Sequence, residues 1–178
     1  GVCGIRRRPP RRHPGRRRCH RGNIDDNDGI LVAGVVIDVP ANEEFTAVLG
    51  GGAALDGIPI RVSTIDTPAR ALIGTGFPFK NPTDIAPYQA QMSRVMAGVS
   101  GVRRPGAAAL DLAFVAAGRY DAFFEYGLAP WDVAAGALMV IEAGGMVSDV
   151  KGQPYAMGGP SILAANGYLR DPLVEVLR

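Results

Sequence analysis

Residues Ile30 to Val39 read ILVAGVVIDV, an apolar run with one charged residue that stops at Pro40. A run of this length, rich in Val and Ile, fits a strand buried on both faces, because a strand with one wet face would alternate apolar and polar positions. The texture changes abruptly at its start. Gly1 to Gly22 read GVCGIRRRPPRRHPGRRRCHRG, with three arginine clusters, three prolines and almost nothing to bury, so this stretch is not expected to fold alone. The chain therefore divides into an Arg/Pro-rich segment, residues 1–22, and a folding unit, residues 30–178.

The overall charge of +2 conceals an asymmetry. Residues 1–21 hold nine Arg and no acid, while ten of the 19 basic residues and all 17 acidic ones follow, so the folding unit is acidic. Three readings of the opening segment stay open: a nucleic-acid-binding arm, since Arg neutralises phosphates; a solvated tail; or the translation of a GC-rich gene in a wrong frame. Both cysteines, Cys3 and Cys19, and both histidines, His13 and His20, also lie there. Without His or Cys, the remainder cannot build a Ser-His-Asp triad, a Cys-His pair, a His/Cys zinc site or a disulfide. Its chemistry must use carboxylates, hydroxyls, backbone groups and a hard metal. No apolar run approaches the roughly 20 residues of a membrane span, and no apolar stretch follows the Arg-rich start as in a secretory signal. A cytoplasmic protein without a membrane partner is expected.

Along the folding unit, FTAVL and IPIRVS read as strands joined through Gly50-Gly51-Gly52 and Asp56-Gly57. Ala71 to Phe77 is a third apolar run, and Tyr88 to Ala97 suits a helix crossing back over a sheet. Gly106 to Gly118, GAAALDLAFVAAG, reads as a small-residue helix, Asp121 to Tyr126 as a short strand and Trp131 to Ala143 as an apolar helix. Strands at Met146 to Asp149 and Ser161 to Ala165 and a helix at Asp171 to Leu177 complete the pattern. Strands alternating with helices imply a layered α/β architecture.

The sharpest chemical feature is Phe123-Phe124-Glu125-Tyr126-Gly127-Leu128-Ala129-Pro130-Trp131-Asp132. An acid-bearing strand leads through a Gly/Pro turn to an acid in the first turn of an apolar helix. Taken alone, Asp132 is well explained as a cap or dipole partner; a metal ligand is the competing reading.

WDVAAGALMVIEAGG, GVRRPGAAALDLAFVAAGRYDAFFEYGLAPWD, EEFTAVLGGGAALDG and GTGFPFK, in the order in which they occur from about Ile30 to Arg178, resemble the inositol monophosphatase family, most nearly its bacterial branch. The resemblance implies a layered α/β sandwich of the inositol monophosphatase and fructose-bisphosphatase type, with its N-terminal half absent. It implies hydrolysis of a phosphate monoester by water activated on Mg²⁺, without a protein nucleophile, and commonly a homodimer. Carried over by position, Asp132 binds magnesium, with Trp131 beside it, and Glu125 accepts a hydrogen bond from a sugar hydroxyl. Gly106, Ala107 and Ala108 face the inositol ring from a helix start, where small residues leave backbone N–H groups approachable. Ala107 departs from the usual Ser/Thr. Arg103 either pairs with an acid near the site or is a surface charge.

The family's Glu-Glu element and Asp-Pro-Ile/Leu-Asp-Gly-Thr/Ser metal loop are not in the sequence. Asp25, Asp26 and Asp28 stand in their neighbourhood, but IDDNDG reads better as a turn before a strand. No residue is therefore assigned with certainty as catalytic, and residues 1–178 alone are expected to have little or no phosphatase activity, as a truncated or frame-disrupted chain would. A catalytically inactive partner protein and the related fructose-1,6-bisphosphatase, histidinol-phosphatase and 3'-phosphonucleotide phosphatase activities are the alternatives.

Overall fold

The structure, a computed structural model, describes residues 19–20, 24–27, 30–78 and 85–178. Among the described residues, eleven strands and four α-helices stack in four layers. The first sheet comprises β1 (Cys19–His20), β2 (Ile24–Asn27), β3 (Ile30–Asp38), β4 (Glu43–Val48), β5 (Gly52–Leu55) and β6 (Ile58–Pro59), all antiparallel. The run from Ile30 forms its longest strand, flanked by β4 on one side and by β1 and β2 on the other, with Cys19 opposite Asp38 and Ile24 opposite Gly34. Most of the Arg-rich segment lies outside the described residues.

The second sheet has the order β10-β11-β9-β7-β8, formed by β7 (Leu72–Thr75), β8 (Gly101–Arg103), β9 (Ala122–Tyr126), β10 (Met146–Ser148) and β11 (Ser161–Ala165). Its helices are α1 (Ile85–Gly98), α2 (Ala108–Ala116), α3 (Pro130–Glu142) and α4 (Arg170–Leu177). β7, β8 and β9 run parallel, and β10 and β11 close the other edge antiparallel.

Strand periodicity explains the layering. In β9, Phe123 faces one core while Ala122 and Phe124 face the other; in β11, Ile162 and Ala164 separate from Leu163 and Ala165 in the same way. The inner core joins the two sheets through α2 and α3, and the outer core joins the second sheet to α1 and α4. A helix between two sheets has no wet stripe, which is why every residue from Val133 to Val140 is buried. Gly136 permits the closest approach: a Cβ there would stand 2.5 Å from the Leu112 Cβ and 3.2 Å from the Ala109 carbonyl oxygen.

Four local expectations are corrected. Of IPIRVS only Ile58–Pro59 is a strand; the polypeptide beyond leaves the sheet and bonds to Ala143 through the Val62 N–H. The glycine-rich connection contains β5, whose Ala53 and Ala54 pair with Ala47 and Thr46. Asp25 and Asp26 lie in β2 rather than in a turn, and Asp28 is outside the described residues. β8 lacked the length and alternation needed to stand out in sequence. Glu142 pins the β4–β5 turn by accepting the Gly50 and Gly52 N–H groups, each at 2.9 Å.

Candidate functional site

The parallel strands locate a cleft before any side chain is considered. From β7 the chain crosses one face of the sheet through α1 to reach β8, then crosses the other face through α2 to reach β9 on the opposite side of β7. The crossover direction changes at β7, leaving a gap outside the carboxyl ends of the three strands, where open α/β sheets hold ligands. Thr75 ends β7 and Gly76 and Phe77 follow it, Arg103 ends β8 and Arg104 follows it, and Glu125 and Tyr126 end β9.

Glu125 is half-buried there and its carboxylate lies directly against Gly76. The Thr75 hydroxyl and the Tyr88 hydroxyl are hydrogen-bonded at 3.1 Å, and the Tyr126 hydroxyl donates to Gln91 Oε1 at 2.8 Å. The Tyr88 ring meets Phe77, Phe124 and Tyr126. Burial pushes the Tyr88 hydroxyl pKa up, opposed by the bond to Thr75 and assisted by the negative charge of Glu125. Tyr126 is raised by burial as well. Both phenols therefore stay neutral well past physiological pH. The Arg104 guanidinium stacks 5.3 Å from the Phe77 ring centroid and reaches back over Gly106, whose φ of +89° turns the chain toward α2.

Asp132 occupies the other end of the motif. Gly127, at φ +64°, turns the chain out of β9 and donates its N–H to the Pro160 carbonyl; Pro130 then opens α3. The Asp132 N–H donates to the Ala129 carbonyl at 2.9 Å, and the Ala129 N–H returns a bond to Asp132 Oδ2 at 3.2 Å. Asp132 Oδ1 carries no hydrogen bond among the described residues. Trp131 is 56% exposed beside it.

The structure thus brings Glu125 to the cleft with the loop leading to Gly106, Ala107 and Ala108, and puts Asp132 on the first turn of the next helix. Ala107 precedes α2 and Ala108 opens it without bulk. Arg103 is exposed on the edge strand, donating to the Val102 carbonyl at 3.0 Å, and no ion pair joins it to another described residue. Arg104 is the arginine that stacks over the cleft. Sequence reasoning missed Thr75, Gly76, Tyr88 and Arg104, because their proximity to Glu125 arises from strand order; GTGFPFK held the only signal, as a conspicuous piece without an assigned role.

Among the described residues no group of three or more Asp, Glu, His or Cys side chains converges on a point that could hold a metal ion. Magnesium keeps its waters unless several oxygen ligands or a phosphate join in holding it. Asp132, already bonded to its own helix turn, does not make such a site with the described residues.

The sequence profile of the inositol monophosphatase family matches residues 24–178, and the chain belongs to that family. It is 52% identical over 140 residues to the Nus factor SuhB of Pseudomonas aeruginosa, covering 78% of this chain and 52% of that protein. It is 40% identical over 153 residues to the inositol-1-monophosphatase of Rhizobium meliloti, covering 86% of this chain and 58% of that protein. The solved structure of the extragenic suppressor protein suhB from Bartonella henselae superposes with a TM-score of 0.81 at 42% identity, covering 88% of this chain and 62% of that one. The chain thus spans a little over half the length of the curated relatives it matches, and it shares their layered α/β fold. Among the described residues no helix is long and apolar enough to cross a membrane.

Proposed function

We propose that this chain supplies the polyol-recognising side of a magnesium-dependent phosphatase for inositol or sugar phosphate monoesters. The observation that carries the proposal is the Glu125 carboxylate, seated against Gly76 where the parallel strands β7 and β9 end. A carboxylate there accepts hydrogen bonds from ring hydroxyls, and charge-assisted bonds are stronger than neutral ones. The N–H groups of Ala108 and Ala109 precede the first bonds of α2, from Leu110 and Asp111 to the Ala107 carbonyl, and sit in a stretch of small residues, which suits a hydroxyl or phosphate oxygen. Asp132 would contribute one carboxylate, through Oδ1, to a magnesium ion completed by ligands beyond the described residues; such an ion supplies charge neutralisation at the phosphate.

The reading is tested by calorimetric binding of inositol 1-phosphate in the presence of Mg²⁺. Binding by the 178-residue chain that is lost in Glu125→Ala supports it, and its absence from the wild-type chain would refute it. Turnover is a separate matter: residues 1–178 alone should release little or no phosphate, and robust Mg²⁺-dependent release abolished by Asp132→Asn would overturn that expectation. A panel including fructose 1,6-bisphosphate, histidinol phosphate and a 3'-phosphonucleotide separates the related activities. A homodimer in the cytoplasm is part of the proposal, and sedimentation decides the dimer.

A second reading rests on the nine Arg of residues 1–21 and on the likeness to a protein named a Nus factor. Nucleic-acid binding by that arm should weaken steeply with salt and disappear when residues 1–21 are deleted. Persistence after the deletion excludes the arm.

A further inference from the structure

Gly76 is buried at the floor of the cleft, and a methyl group placed on its Cα would overlap the Glu125 carboxylate. The three nearest atoms it would meet are Cδ, Oε1 and Oε2 of that one side chain. Gly76 has no positive φ, so its backbone is open to alanine, and the demand for glycine here is one of space. Two other tight glycines face scaffold: at Gly136 the obstacle is Leu112 and a helix carbonyl, and at Gly145 it is Val140, Val62 and the Ala165 carbonyl. At Gly76 the obstacle is the mobile tip of a long side chain, which can swing aside without disturbing β7. The missing Cβ therefore decides where the carboxylate lies and leaves the folding of the strand to its neighbours.

We infer that Gly76 is a specificity-determining residue: its bare Cα lets the Glu125 carboxylate lie flat across the β7–β9 junction, aimed at the hydroxyls of a polyol phosphate. The inference rests on the proposed function and adds the element that orients the recognition group. The register agrees. Thr75 pairs with Phe124 across the parallel ladder, which places Gly76 beside Glu125 just beyond the last paired residues. The space on one side is taken by the bonded hydroxyls of Thr75 and Tyr88. The Phe77 ring that follows carries Arg104 above it. A side chain at position 76 would push the carboxylate off this floor and turn its lone pairs away from the ring hydroxyls. Phosphate contacts made elsewhere would be untouched.

The experiment uses the 178-residue chain with Gly76→Ala, Glu125→Ala and the double substitution. Calorimetry with Mg²⁺ present compares inositol 1-phosphate with inorganic phosphate, which has no ring hydroxyls. The expected result for Gly76→Ala is a loss of about tenfold in inositol 1-phosphate affinity with inorganic phosphate changed by less than about twofold, the size of one charge-assisted hydrogen bond. The double variant should match Glu125→Ala, since the glycine acts only through that carboxylate. Thermal unfolding should show all variants folded. Equal losses for both ligands would mean that Gly76 is merely structural, and additive losses in the double variant would mean that it acts on something other than Glu125; either overturns the inference. If the wild-type chain binds inositol 1-phosphate and only Glu125→Ala impairs it, the inference on Gly76 fails while the proposed function stands. If the wild-type chain binds neither ligand, the proposed function fails and takes the inference with it.

Discussion

Glu125 and Asp132 belong to one continuous motif, yet they are positioned by opposite means. Asp132 is held by its own neighbourhood: the exchange of hydrogen bonds with Ala129 closes within three residues, and Pro130 presets the turn. Glu125 meets residues distant in sequence, among them Gly76, which follows the neighbouring strand β7. A locally held carboxylate keeps its geometry whenever the helix forms. One placed by strand order depends on the assembly of the whole second sheet. The two corners should accordingly respond differently to perturbation, and Asp132 should be the more robust.

The largest effect should come from breaking the assembly while leaving the α3 turn intact. Gly136→Leu drives a side chain into Leu112 and the Ala109 carbonyl, so a loss of about 3 kcal/mol or more is expected from urea unfolding. A loss under about 1 kcal/mol would show that the two inner helices separate easily. Glu142→Ala comes next, removing two charge-assisted bonds to Gly50 and Gly52 at a half-buried position, with an expected cost of about 1–2 kcal/mol. Asp132→Ala removes only a local bond and a favourable dipole contact, about 0.5–1 kcal/mol in the same assay. Should Asp132→Ala prove costlier than Glu142→Ala, the contrast between local and tertiary control would be reversed.

The smallest effect is a pH dependence at the Glu125 side. Tyr88 and Tyr126 have raised pKa values because burial disfavours the phenolate. The folded state therefore holds their protons more tightly than the unfolded state. Their contribution is fully present below the ordinary tyrosine value near 10 and is lost as pH rises through the folded values. Urea midpoints should be flat from pH 8 to about 9.5 and fall above about 10, with a shallower fall in Tyr88→Phe. A profile that Tyr88→Phe leaves unaltered would place the origin of the loss elsewhere.

Much of the architecture was legible because it repeats locally. ILVAGVVIDV announced the longest strand of the first sheet, although that strand is not buried on both faces, since Val35 and Ile37 are only half-buried between Gly34, Val36 and Asp38; the small-residue patterns announced α2 and α3, since period and end signals are properties of neighbours in sequence. β5 was hidden by its glycines and alanines, which carry little strand preference and become a strand only because Ala47 and Thr46 lie opposite. IPIRVS carried a strand pattern, but only its first two residues pair as a strand. Arg103 and Arg104 are adjacent in sequence, and no feature of composition separates them; the end of the edge strand sends Arg104 over Phe77 and leaves Arg103 to its neighbour's carbonyl.

Sequence by itself determined the family, the absence of His and Cys after residue 20, and the Asp132 turn. Motif order, residue inventory and first-turn hydrogen bonding all act over short distances along the chain. Only the tertiary structure decided that β7, β8 and β9 run parallel side by side, that the Thr75 and Tyr88 hydroxyls meet, and that the Glu125 carboxylate lies against Gly76. These relations depend on strand order and register, which are set by the simultaneous burial of both faces of the second sheet.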